Sequence, residues 1–392
     1  MSRRASKTKR KRKRGTSVFD DARSFASRYA EGVRPGELRS ILARQASEAY
    51  DVITRDQSLE NEPKRGLRRF FFRARILFLG MSFKLTPPRR VLFGASVVAI
   101  ILGLLGSQAR YDGARVSVSI DFSGFWLLLA ISGLLFLLGL ELVDRIRVRD
   151  EIEVARHLQR ELLPEQAPKL PGWSFAHSYR TANDIGGDYY DFLPLSNGRL
   201  AMVIGDASGH GMAAGLLMAI ANASLKTAVD LDPDPVAVLA LINRALIRTG
   251  DRHSFMTMLF GLLDTSAGRL DFASAGHPFP LLRRADGRVE EVGSGALPLG
   301  IRAKLTLKPD HVVLAPGDAL VLYSDGVPEA MSPTEDSFGY ERLRAAVAVG
   351  GSAEEMQKRL LSTLAAHLGV ASLEEARLTD DITIVVIEHR KI

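Results

Sequence analysis

GGDYYDFLPLSNGRLAMVIGDASGHG, from Gly186 to Gly211, reads as two strands joined by a short turn and flanked by carboxylates. Tyr189–Leu195 and Arg199–Ile204 have strand character, and Ser196, Asn197 and Gly198 between them are a hairpin signal. Asp206 follows the second strand and precedes Ser208, Gly209 and Gly211, so its carboxylate is expected to project at a strand end beside exposed backbone. That geometry suits a ligand shared between two cations, although an Asp there can equally cap the helix that starts near Met212. Asp188 and Asp191, at i and i+3 after paired glycines, read as a metal ligand and a partner that orients it or a bound water.

The same arrangement recurs downstream. Asp325 follows Leu320–Tyr323 in YSDG, and Asp380 with Asp381 opens the final strand, Ile382–Glu388. Singly, each is compatible with turn chemistry. Together they supply hard oxygen ligands for two octahedral ions, Mg2+ or Mn2+, without which clustered carboxylates would be costly. The chain has no cysteine, which excludes disulfides, thiolate zinc sites and cysteine nucleophiles. Its 392 residues, 46% of them hydrophobic, allow a full catalytic domain with further segments.

Around the central hairpin, Trp173–Tyr179, Met256–Leu263, Arg269–Ser274 and Ala319–Ser324 read as strands, and Met212–Val229 and Pro235–Arg248 as helices. Ser352 with Glu355 forms a capping box for a helix whose Met356, Leu360, Leu361, Leu364 and Leu368 share a face, and Gly369 stops it. Strand hairpins and helices grouped in runs predict an α+β domain over 164–392, with antiparallel sheets covered by helices.

The N-terminal half is of another kind. Residues 1–90 hold 24 Lys/Arg against 9 Asp/Glu, while the remainder is net acidic. Residues 1–16 read as a basic solvated tail able to touch acidic phosphates, and Val18–Ala30 and Pro35–Arg55, within segment 17–66, as amphipathic helices without an assigned role. In the juxtamembrane segment 67–90, Leu67–Leu85 mixes five basic residues with aromatic and aliphatic ones, which suits a helix on an anionic leaflet or a packed helix of a small domain.

Val91–Ala109 and Phe122–Leu140 are uncharged stretches of membrane-spanning length. Arg89 and Arg90 before them, and Arg145, Arg147 and Arg149 after them, predict a two-pass anchor in the inner (plasma) membrane with both termini cytoplasmic, and no cleaved signal peptide is expected. The segment 141–163 lacks Gly and Pro and carries an imperfect heptad, so it is expected to be a linker helix that either dimerises as a coiled coil or caps the catalytic domain.

ARHLQRELLP (Ala155–Pro164), GGDYYDF, IGDASGHGMAA, SAGHPFP (Ser274–Pro280), PLG (Pro298–Gly300), LYSDGVPEA (Leu322–Ala330), FGYERL and DDITIVVI occur in this order. In this set the chain resembles the SpoIIE-like, RsbU-type branch of the PPM metal-dependent protein serine/threonine phosphatases. The resemblance implies an α-β-β-α sandwich with two Mn2+ or Mg2+ ions at one end of the sheets. By motif position, Asp206 would bridge the ions, Asp188 and the Ala207 carbonyl would complete one shell, and Asp325 with Asp380 would hold the other, with Asp381 as a further metal ligand. Hydrolysis of phosphoserine or phosphothreonine by metal-activated water would follow.

Two positions depart from the pattern of other PPM branches. Ser208 stands where those branches have a His, with His210 further on, and no Arg lies four residues before Asp188, Arg180 being a distant substitute. His277 is expected to support the fold, since hard ions prefer oxygen. The resemblance implies a phosphorylated anti-sigma-factor antagonist as substrate. The alternatives are a catalytically inactive membrane scaffold that binds partners, and nucleic-acid binding through Lys7–Arg14. Nucleic acid is not the expected partner.

Overall fold

The computed structural model describes residues 66–106, 108–112, 117–209, 211–249 and 254–391. The tail, the expected helices Val18–Ala30 and Pro35–Arg55, and His210 lie outside the described residues. Two compact units divide at Asp144 and Arg145.

In the first unit, α1 (Leu67–Lys84) stops at Leu85, ahead of two prolines, and α2 (Pro87–Leu104) begins on them. Arg90 of α2 donates from Nε to the Ser82 carbonyl at 3.0 Å, satisfying an end carbonyl of α1. Its guanidinium also lies 5.0 Å from the centre of the Phe83 ring. A two-stranded hairpin follows, β1 (Gln108–Asp112) with β2 (Ser117–Asp121), and then α3 (Ser123–Glu161).

The expected spans at 91–109 and 122–140 are thereby corrected in their bounds. The first helix starts and ends earlier, with Gln108 and Ala109 in a strand. The second runs without a break through the linker 141–163 as far as Glu161, because no proline interrupts 123–161. Both helices are long and apolar enough to cross a membrane. A methyl group on Gly103 of α2 would lie 2.7 Å from Leu127 Cγ of α3, so the two helices pack closely there.

The second unit holds two five-stranded antiparallel sheets. One has the order β10 (Asp310–Val313), β7 (Arg269–Ala275), β6 (Met256–Asp264), β5 (Arg199–Ala207), β4 (Asp188–Pro194). The other runs β3 (Trp173–Arg180), β12 (Ile382–His389), β11 (Ala319–Tyr323), β8 (Leu281–Arg283), β9 (Val289–Glu291). Strand alternation assigns each side chain a layer. Leu200, Met202 and Ile204 of β5 meet Val385 and Ile387 of β12 in a core between the sheets.

Ala201, Val203 and Ala207 face the other way, onto α4 (Met212–Leu231) and α5 (Pro235–Thr249). Val321, Tyr323, Ile384 and Val386 pack on the far side with α7 (Gly339–Ala348) and α8 (Ala353–His367). The short α6 (Gly326–Glu329) follows β11. The result is the expected α-β-β-α sandwich. Ser352 caps α8 with the expected box. Helix α4 also has the length and apolarity of a membrane span, yet Ala214, Leu217, Met218, Ala221 and Leu225 bury one face of it in the domain core.

Candidate metal centre between the sheets

The alternation that builds the middle core also builds the site. Asp188 and Asp206 extend the inward faces of β4 and β5 beyond the last apolar residues and are direct partners in the ladder. From the other sheet, Asp381 and Thr383 continue the inward face of β12, and Ser324 follows β11. Asp325 and Asp380 sit one residue further out on their respective chains. Five carboxylates therefore gather at one mouth of the sandwich.

Burial strains Asp188, Asp206, Asp325 and Asp381. Asp188 is 1% exposed, and desolvation, then the neighbouring Asp206, hold its carboxyl well above the usual range. Desolvation raises Asp206 to about 8, with Asp325, Asp380 and Asp381 adding to the effect. Asp325 is raised by burial and then by Asp380. Among the described residues, none of the five makes an ion pair with Lys or Arg.

Oxygen geometry agrees with a cation in this place. A methyl at Gly187 would lie 2.7 Å from both Asp206 Oδ1 and the Ala207 carbonyl, so the two oxygens converge on one small space that glycine leaves open. Hard oxygens around such a space, in a cluster short of positive charge, fit Mg2+ or Mn2+. Among the described residues, no three carboxylate or imidazole side chains are closed into a complete ligand group. One of the converging oxygens, that of Ala207, is a backbone carbonyl.

The remaining acids differ in their partners. Asp381 accepts Ala182 N–H on Oδ1 at 2.7 Å, and Gly187 N–H at 2.6 Å and Asp188 N–H at 3.3 Å on Oδ2. Asp380 is exposed and accepts Asp381 N–H at 2.8 Å. Asp191 is not in the mouth. On a strand, positions i and i+3 point to opposite faces, and Asp191 turns to the helix layer. There Tyr189 donates to it at 3.3 Å and Lys226 Nζ lies 3.9 Å away.

The capping alternative for Asp206 also falls away, since α4 is preceded by Gly211 with no side-chain cap. Ser208 Oγ accepts Phe255 N–H at 2.9 Å, and Arg180 pairs with Glu374 at 2.9 Å. His277 is buried, meets Thr257 Oγ1 at 3.0 Å through Nδ1, and is pushed by desolvation to about 3, which keeps the imidazole neutral.

Three residues that motif spacing does not single out complete the surroundings. Thr383 donates to Asp188 Oδ2 at 2.5 Å, and Ser324 Oγ accepts Thr383 N–H at 2.9 Å and donates to the Asp381 carbonyl at 3.2 Å. Thr383 could have been found from its place two residues after Asp381, on the same strand face. Gln159 reaches in from α3, with no local signal in its heptad. Outside the mouth, Asp380 borders a groove of about 570 Å3 with Glu329, Met331 and Tyr340 on its rim. A larger cavity of about 620 Å3, at the start of β3, holds none of the five carboxylates.

Residues 196–390 match the family described as Stage II sporulation protein E (SpoIIE). The chain is similar to phosphoserine phosphatase RsbU of Bacillus subtilis, 28% identical over 248 residues that cover 62% of this chain and 71% of that protein. It is also similar to protein IcfG of Synechocystis, 26% identical over 278 residues covering 64% of this chain, and spans only 43% of that protein's length. The solved SiaA-PP2C domain of Pseudomonas aeruginosa superposes with a TM-score of 0.55 at 22% identity, over 62% of this chain and 98% of that one, and shows the same fold.

Proposed function

The C-terminal domain belongs to the SpoIIE-like branch of the PPM phosphatases, and from that premise we propose that this protein is a metal-dependent phosphatase acting on phosphoserine or phosphothreonine of a regulatory protein. One observation carries the reading: Asp188 and Asp206, raised by burial and with no cationic side chain paired to them among the described residues, stand at a mouth where Asp206 Oδ1 and the Ala207 carbonyl converge.

Asp206, Asp188 and the Ala207 carbonyl would hold one divalent ion, and Asp325, Asp380 and a shared Asp206 a second. Asp381, with both oxygens accepting backbone N–H groups, would shape the loop that presents Asp188. When bound, the ions would supply the positive charge that makes water acidic enough to attack phosphorus and that offsets charge developing on the phosphoryl oxygens. Thr383 fixes the rotamer of Asp188, and the sheets exclude water from its rear.

The resemblance to RsbU-type phosphatases supports an anti-sigma-factor antagonist as substrate. The apolar helices α2 and α3, flanked by arginines, support a two-pass anchor in the inner membrane with cytoplasmic termini. Exposed Ile146 and Leu158 on the linker helix support a homodimer through it.

The full chain in detergent, given Mn2+ and a phosphoserine protein, should release inorganic phosphate, and Asp206→Asn should not. Equal release by both proteins would remove the catalytic reading and leave a binding scaffold.

A further inference from the structure

Gln159 spans one backbone unit of the loop that delivers Asp188. Its Nε2 donates to the Gly186 carbonyl at 2.6 Å, and its Oε1 accepts Gly186 N–H at 3.2 Å. The side chain is 5% exposed. A primary amide suits this task because it carries a donor and an acceptor at adjacent atoms, whereas a carboxylate offers acceptors alone. On the same helix, Arg156 Nε donates to the Asp184 carbonyl at 2.7 Å, and its guanidinium pairs with the Asp184 carboxylate.

The loop is held from its other side by Asp381, through Ala182, Gly187 and Asp188 N–H. Little slack remains between these two grips: a methyl on Gly186 would collide with Asp381 Oδ2 and Tyr179 OH. The position of Gly186 and Gly187 in turn sets how closely Asp188 approaches Asp206 and the Ala207 carbonyl.

We propose that Gln159 is a positioning residue for the cation site: its two hydrogen bonds to Gly186 fix the loop at the height where Asp188, Asp206 and the Ala207 carbonyl can share an ion. It touches no reacting atom. The proposal rests on the metal-dependent reading above. If Gln159 served only to anchor the helix, its loss would lower stability and leave metal affinity alone.

The test uses the full chain in detergent. Gln159→Leu keeps the volume and removes both hydrogen bonds, Gln159→Glu keeps the shape and loses the donor, and Arg156→Ala loosens the exposed end of the same loop. Mn2+ alone is titrated by calorimetry, and thermal unfolding is followed without metal. Gln159→Leu should weaken Mn2+ binding about tenfold, the size expected of a residue behind a ligand. Gln159→Glu should weaken it in the same direction, and phosphatase activity should return towards the parent value as Mn2+ is raised, with KM for the phosphoprotein unchanged.

Unchanged Mn2+ affinity in a folded Gln159→Leu or Gln159→Glu protein would overturn the proposal. Should Gln159→Leu not fold, Gln159→Glu decides it on the same measure, with Arg156→Ala, which leaves both Gly186 bonds in place, as the control. If the parent chain binds no Mn2+, the cation reading fails by itself, and amide exchange still tests the clamp. Gly186 N–H should exchange at least tenfold faster in metal-free Gln159→Leu, which removes its acceptor, and equal exchange would refute the clamp.

Discussion

On the β4–β5 wall of the mouth, Asp188 and Asp206 face each other across a ladder with no cationic side chain paired to either. On the β12 wall, Asp381 is as deeply buried but receives three backbone N–H groups. The same side chain thus does two jobs. On one wall no described cationic side chain offsets the carboxylates, and on the other the carboxylate is taken up by backbone donors. An acidic motif therefore does not identify a ligand until its oxygens are followed to their donors.

Substitutions can break this contrast. Asp206→Asn should cause the largest loss, about 10^3-fold in phosphate release, because it removes the group shared by both proposed ions. Asp381→Asn should behave differently. An amide offers one acceptor in place of two, so N–H groups of the loop lose their partner, and unfolding experiments should show a loss of about 1–3 kcal/mol per orphaned donor alongside weaker Mn2+ binding.

pH should sharpen the contrast further. A carboxyl held at about 8 in the fold, as Asp206 is, binds a proton that the unfolded chain has released. The contribution of Asp206 to the stability of the metal-free protein should therefore be complete below the ordinary Asp range and be lost as pH rises through about 8, by an amount on the order of a few kcal/mol. Denaturant titrations with Mn2+ present should show that decline reduced.

Thr383→Val, which takes the hydroxyl from Asp188 Oδ2, should loosen Mn2+ by about tenfold with little change in substrate KM. Asp191→Asn, on the helix side of the same strand, should leave Mn2+ affinity within error.

Much of this arrangement is legible along the chain. Strand alternation with a Ser-Asn-Gly turn marks the β4–β5 hairpin, and the aspartates at strand ends mark the mouth. Asp191 misleads because i and i+3 share a face on a helix and not on a strand. Gln159 and Ser324 lie within the quoted motifs, yet what they hold is not legible there, because their partners, Gly186 and residues of β12, are brought near by the fold alone. The change from apolar to charged residues near 140 reads as an element boundary. Backbone helicity has no reason to stop there, so α3 continues to Glu161.

Calorimetric titration of the full chain with Mn2+ near neutral pH addresses the carboxylate cluster itself. Two bound ions per chain, falling to one or none in Asp206→Asn with the fold intact, is the predicted result. Equal uptake by both proteins, or none by either, would contradict the assignment of this mouth as a metal centre.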